Sequence, residues 1–205
     1  MPRSRTPAMF RALALAATLA LALGPAAEAQ EVTIAPGDAA RLAAYDTHFG
    51  AAMAEAMAGG APADIAALTT ALAGDPIPPA GLEGDWTCRV MKLGGILPLT
   101  VYSPFRCRIT RTADGGLFLE KLTGSQLTSG RIVETEDGLV YLGVGYIAGA
   151  EPITYEQYHS GAIPPSAGQV TSDVGYVEMV SPNRARVLFP APMLESRFDI
   201  LELTR

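Results

Sequence analysis

From Gly84 to the C-terminus, apolar and polar residues alternate in short runs separated by turn residues. A two-residue rhythm puts successive side chains on opposite faces of a strand. It predicts strands near 84–92, 100–111, 116–123, 126–135, 139–147, 169–180, 184–190 and 196–204. Asp114-Gly115-Gly116, Asp137-Gly138 and Pro182-Asn183 supply tight turns between them. About eight strands, mostly joined as hairpins with no helix-length pattern between them, predict an antiparallel barrel or sandwich rather than a parallel α/β fold. Gly143 and Gly145 would relieve crowding where the sheet curves or closes.

Upstream the rhythm changes to spacings of three and four. Leu42, Tyr45, Phe49, Met53, Ala56 and Met57 form one helical stripe, with Asp38 as its expected cap and Gly59-Gly60 as its stop. A shorter helix begins near Pro62, carries Ile65, Leu68 and Leu72 on one face, and stops at Gly74. Two such helices cannot bury their own stripes and are expected to pack on the β region. Asp-Pro-Ile-Pro-Pro-Ala-Gly from Asp75 to Gly81 fits neither helix nor inner strand. The chain therefore reads as mainly β, α+β overall: a helical segment over 30–74, a linker over 75–83 and a barrel domain over 84–205.

The first residues have the parts of a secretory leader. Arg3, Arg5 and Arg11 are basic, Ala12 to Leu23 is apolar, and Ala27-Glu28-Ala29 offers small residues for cleavage after Ala29. The apolar run is about a dozen residues, short of the ~20 that span a bilayer, so a cleaved signal peptide over 1–29 is expected rather than an anchor. No cysteine lies near the cleavage point to carry a lipid, and no later segment is long and apolar enough to span. The expected location is periplasmic or secreted. Loss of the leader takes the formal net charge from −6 to −8, because it removes three arginines and Glu28. An acidic chain without a basic cluster is poorly suited to nucleic acid or to an anionic membrane surface.

Cys88 and Cys107 are the chain's two cysteines. In an exported chain two cysteines most often pair. Trp86, Cys88 and Val90 share one parity, as do Phe105, Cys107 and Ile109, so both sulfurs fall among apolar neighbours. Closing the 18-residue loop between them stabilises by ~3 kcal/mol through the unfolded chain. A redox pair or a metal site fits less well, since there is no Cys-x-x-Cys, and the two histidines, His48 and His159, lie far from the cysteines in sequence. Trp86 is expected in the barrel floor.

Gly-Asp-Trp-Thr-Cys-Arg-Val-Met-Lys-Leu-Gly from Gly84, Pro-Phe-Arg-Cys-Arg-Ile from Pro104 and Lys-Leu-Thr-Gly-Ser-Gln from Lys121 carry a family resemblance. They resemble the signature blocks of the exported proteobacterial domain-of-unknown-function family DUF4893. The closing Phe-Pro-Ala-Pro-Met-Leu-Glu-Ser-Arg-Phe-Asp-Ile-Leu-Glu-Leu is similar too, so the likeness runs from about Ala39 to Leu203. Family members often carry arginine and proline after Gly-Ser-Gln, where this chain has Leu127-Thr128. The resemblance implies no activity and no catalytic residues. A weaker one, from Gly84-Asp85-Trp86, is to lipocalin-like barrels, and it implies a calycin-like closed barrel in which Arg197 packs on Trp86. Secreted bacterial metalloprotease inhibitors share a similar barrel shape.

Candidate chemistry is sparse. Lys121, Thr123 and Ser125 share a strand face beside Gln126 and could hold a polar or anionic ligand at a barrel mouth; a solvated strand end is the plainer reading. Arg89, Lys92, Arg106 and Arg108 could form an anion patch or an ordinary polar outer face. The Gly149–Gly168 stretch is the longest irregular one. Its Tyr155, Glu156, Tyr158 and His159 could close over a ligand or simply pack on the barrel end. Ser125 or Ser129 with His159 lacks a Gly-x-Ser-x-Gly elbow, and no metal or cofactor motif is present. Three functions follow: binding an unknown small molecule, binding an envelope protein as an interaction or inhibitor-like barrel, and an enzyme of unrecognised type.

Overall fold

A computed structural model describes residues 33–205. The expected leader, 1–29, lies outside the described residues. Three helices come first: α1 (Pro36–Ala43), α2 (Tyr45–Gly59) and α3 (Pro62–Leu72). Nine strands follow: β1 (Gly84–Leu93), β2 (Leu99–Val101), β3 (Phe105–Arg111), β4 (Leu117–Lys121), β5 (Gln126–Thr135), β6 (Gly138–Ile147), β7 (Val170–Ser181), β8 (Arg184–Pro190) and β9 (Phe198–Thr204). A short helix α4 (Tyr155–Ser160) and a 3-10 turn lie between β6 and β7.

All strand pairings are antiparallel, and β1 pairs with β9, so β1 and β3 to β9 close into an eight-stranded barrel. The ninth strand, β2, lies in line with β3 along the same edge of β1. Met91 faces Val101, and Cys88 faces Phe105, so the two are one strand interrupted at Tyr102-Ser103-Pro104. Pro104 has no N–H to give to a ladder, which accounts for the interruption.

One end of the barrel is closed by tight turns and filled. Trp86, Ile109, Leu119, Ile132, Val177, Val187 and Leu203 are among its buried inward residues. Trp86 donates its indole N–H to the Leu82 carbonyl at 2.8 Å, and Leu82 plugs the floor from the preceding segment. The linker is itself held down, since the Ile77 N–H donates to the Met179 carbonyl at 2.7 Å. Cys88 and Cys107 are bonded inside this core, with Cα atoms 5.8 Å apart, diagonally across β1 and β3.

The helices cover outward apolar residues. α2 and α3 bury Ala52, Ala56, Leu68 and Ala71 against Met91, Leu93, Leu188, Phe198 and Ile200. Arg186, paired with Glu178, donates to the carbonyls of Ala71, Leu72 and Gly74, so a cation meets the carbonyl end of α3. The single N-terminal helix expected from the stripe is two helices, broken at Ala44 (φ −90°, ψ 15°). Asp38 does not cap α1, which starts at Pro36; its buried carboxylate is drawn to partners on the barrel instead.

Candidate functional site

The tight turns gather at the floor. The long connections gather at the other end, where the barrel opens into a cavity of about 190 Å³. This exceeds the ~150 Å³ apolar cavity that admits benzene. Following the inward faces of β1, β4, β5, β7 and β9 from floor to mouth, apolar side chains give way to polar ones. β1 runs Trp86, Cys88, Val90, Lys92. β9 runs Leu203, Leu201, Asp199, and β7 runs Val177, Gly175, Asp173, Thr171. Lys92, Lys121, Thr128, Thr171, Asp173 and Asp199 all line the cavity, together with Phe105 and Phe189. Tyr102, Ile147, Met193 and Leu194 form an exposed apolar rim.

Small residues make room for this polar layer. A Cβ on Gly145 would stand 2.5 Å from Thr171 Oγ1 and 2.8 Å from Asp173 Oδ2. One on Gly143 would meet the Tyr141 hydroxyl, which is paired with Thr128 Oγ1 at 2.8 Å.

The ionisable groups are unevenly matched. Lys92 is paired with Glu195 at 2.5 Å and donates to Gln126 Oε1 at 3.1 Å. Burial opposes its charge, but the Glu195 hydrogen bond and nearby carboxylates outweigh that and raise its pKa. Lys121 donates to the carbonyls of Thr123 (2.9 Å) and Gln126 (2.6 Å) and lies 3.8 Å over the Phe105 ring. Among the described residues it forms no ion pair. Burial, with help from the Lys92 charge, brings its pKa down to about 8. Asp199 accepts from Ser196 at 2.5 Å, and Asp173 accepts from Thr171 at 3.0 Å. Among the described residues neither carboxylate has a cation within ion-pair distance. Burial pushes Asp199 up to about 7 and also raises Asp173, with the two carboxylates' mutual repulsion adding to the shift of Asp199.

The mouth is edged by the β8–β9 connection. Ala191 (φ 46°) and Glu195 (φ 69°) both adopt left-handed backbone there. The loop is fastened by Arg41 Nε donating to the Ala191 carbonyl at 2.9 Å and by Glu195 holding Lys92.

A second cluster lies outside the barrel wall. α4 is short, but Thr154 and Gln157 form a capping box and Gly161 ends it in the left-handed region. It presents Tyr155 and His159 to Asp38 of α1. The Asp38 carboxylate accepts from Ser172 (2.6 Å), the Tyr155 hydroxyl (2.8 Å) and Arg41 (2.9 Å), and its Oδ2 lies 2.8 Å from His159 Nε2. Burial raises its pKa, but these hydrogen bonds and Arg41 outweigh that, so the net shift is downward.

A histidine, a carboxylate and a serine thus do meet, yet not as a relay. The carboxylate and the Ser172 hydroxyl face the same ring nitrogen, whereas a relay places them on opposite nitrogens. Ser172 is 1% exposed and its hydroxyl donates to Asp38. The cluster latches α1 and α4 onto β7.

Of the residues singled out from the sequence, Lys121, Ser125 and Gln126 come together on the cavity wall. Arg89 faces outward, bonded to Glu202 at 2.7 Å, and Arg108 is paired with Asp85. The four basic residues Arg89, Lys92, Arg106 and Arg108 therefore form no joint anion patch, because Lys92 alone points inward. Tyr155, Tyr158 and His159 lie on α4; Tyr158 supports the rim through its hydroxyl, 3.5 Å from Met193 Sδ. The cation over Trp86 is Arg205, 4.1 Å from the ring centroid, while Arg197 bonds Glu55 of α2. Asp173 and Asp199 escaped the sequence reading, which groups Lys92 with the outer-face arginines although it extends the inward parity of Val90 by one step.

These features define a disulfide-stapled, closed antiparallel barrel with a filled floor and a polar, partly open mouth. The family model described as Domain of unknown function (DUF4893) matches residues 31–203, and the chain belongs to that family. No curated protein and no solved structure matches the chain.

Proposed function

We propose that this protein is exported, loses a leader after Ala29, and works in the periplasm or outside the cell as a small-ligand-binding barrel. The observation that carries the reading is the mouth cavity, in which Lys121, Asp173 and Asp199, without ion-pair partners among the described residues, converge above a filled apolar floor. Ligand sites are concave, largely apolar, and oriented by a few buried polar groups. A second hollow of about 340 Å³, under the linker near Pro76 and Pro79, has ionisable groups that are surface residues such as Glu134 and Asp137. It lacks that convergence. The Cys88–Cys107 bond suits an oxidising compartment, and no helix among the described residues is long and apolar enough to cross a membrane.

Native mass spectrometry of protein purified from the envelope of its own cell tests this reading. A bound mass of a few hundred daltons or less, lost on mild activation, is the expected result. A bare protein mass, together with no thermal shift from any small molecule, would sink it.

A second reading rests on exposed apolar side chains. Ile96 and Leu97 at the β1–β2 tip are 75% and 57% exposed, close to the rim formed by Met193 and Leu194. Such a patch fits a protein-interaction or inhibitor-like barrel. Co-purification of a protein in stoichiometric amount, with an empty cavity, would favour it.

A further inference from the structure

The charges in the mouth are not scattered. Around the closed ring, β4 lies opposite β8, and β7 and β9 flank β8. Lys121 ends the inward face of β4. Asp173 and Asp199 lie on β7 and β9. The cavity is therefore polarised across its width, with an ammonium on one wall and two carboxylates on the facing wall.

Among the described residues neither pole has an ion-pair partner. Lys92 and Arg41, which also line the cavity, offset the acidic pole only in part, and burial still raises the pKa of both aspartates. Lys121 is 5% exposed and, among the described residues, has no carboxylate within ion-pair distance. Asp199 is the cross-strand neighbour of Lys92, yet Lys92 turns to Glu195 and Gln126 at the rim. Asp199 accepts from Ser196, Asp173 accepts from Thr171 with the Thr128 hydroxyl also beside it, and both keep surface open to the cavity. Buried charges without partners are costly, and filling the space between them with a complementary dipole relieves both at once. A purely anionic ligand would answer Lys121 and be repelled by the acidic wall. A purely cationic one would do the reverse.

We propose, on the basis of the ligand-binding reading, that the cavity takes a small zwitterion of amino-acid type, its anionic group toward Lys121 and its ammonium toward Asp199 and Asp173. Phe105 and Phe189 line the space available to an apolar body. The cavity volume suits a compact side chain better than a long acyl tail. The upward shift of the aspartates and the downward shift of Lys121 show that burial disfavours charge at both poles, and a bound zwitterion would oppose each shift.

The test compares four probes with one isobutyl body: leucine, isocaproate, isoamylamine and the neutral isohexanol. Calorimetric titration of the purified protein should show leucine binding roughly ten-fold or more tighter than either singly charged probe. Asp199→Asn should weaken leucine and isoamylamine while sparing isocaproate. Lys121→Met should weaken leucine and isocaproate while sparing isoamylamine. Asp173→Asn probes the same acidic wall if Asp199→Asn fails to fold.

A singly charged probe that matches leucine overturns the proposal, as do variants that shift all the probes alike. Isohexanol binding as tightly as leucine overturns the proposal and leaves the barrel reading standing. Binding by none of the four, with a bare mass in native mass spectrometry, overturns both.

Discussion

Asp199 is a carboxylate in a place that resists its charge. Its ordinary pKa is 3.8, and burial carries it to about 7 in the folded protein. Below about pH 4 the group is protonated folded or unfolded and costs no stability. As pH rises, the unfolded chain releases its proton first, so folding must retain a proton or bury a charge. The penalty grows from about pH 4 to about pH 7 and is constant above. Asp199→Asn removes it. The variant should match the parent in melting temperature near pH 4, exceed it increasingly up to about pH 7 and keep that gain above, as read by thermal unfolding across a pH series. A gain that is constant across the range would show that the carboxylate's titration is not responsible. The same logic, with sign reversed, applies to Lys121. Its penalty is full below about pH 8 and fades as pH rises toward its ordinary 10.5. Both groups weigh against folding near neutrality, as expected of side chains placed for binding rather than stability.

At the scale of elements, the strands were readable because each keeps one face in the core and a register slip would turn that face outward. The reading was weaker where no parity or period operates. Ala44 breaks the N-terminal helix within an alanine-rich run that has no local mark of a break. α4 spans six residues, too few for periodicity, and its visible sign was Thr154-x-x-Gln157. The cysteine pairing followed from the apolar run on each strand. The acidic wall did not, because Asp173 and Asp199 sit just beyond the last apolar residue of their faces. Arg205 rather than Arg197 reaches Trp86 because β9 runs antiparallel to β1, so its end meets the start of β1. The Asp38 latch was invisible for another reason: it joins residues more than a hundred positions apart. Asp38→Ala would leave Ser172, Tyr155 and Arg41 without their shared acceptor. The expected loss is roughly 3 kcal/mol in denaturant unfolding, with earlier proteolysis in α1 and α4. A loss under about 1 kcal/mol would mean that apolar packing of Leu42 and Tyr155 alone holds these helices.

For the whole molecule, packing and unpaired charge are divided between the two ends of one barrel. The floor holds the aromatic core, the disulfide and the tight turns; the mouth holds the uncompensated charges and the long connections. Backbone ladders β1–β9 and β1–β3 close the barrel on both edges of β1, so the barrel is expected to keep its shape without the disulfide. Its effect falls on the unfolded chain, where it restricts the loop between β1 and β3. Replacing both cysteines by alanine should therefore lower stability by ~3 kcal/mol. For a domain of this size that is a fall of roughly 6–12 °C in melting temperature, followed by far-ultraviolet circular dichroism. Ligand affinity should change little below the transition, because Lys92, Lys121, Asp173 and Asp199 stay fixed by strands whose ladders are intact. An unchanged melting temperature would show that the unfolded chain is already compact around this loop. A large loss of affinity in a still-folded variant would show that the bond shapes the mouth as well as the floor.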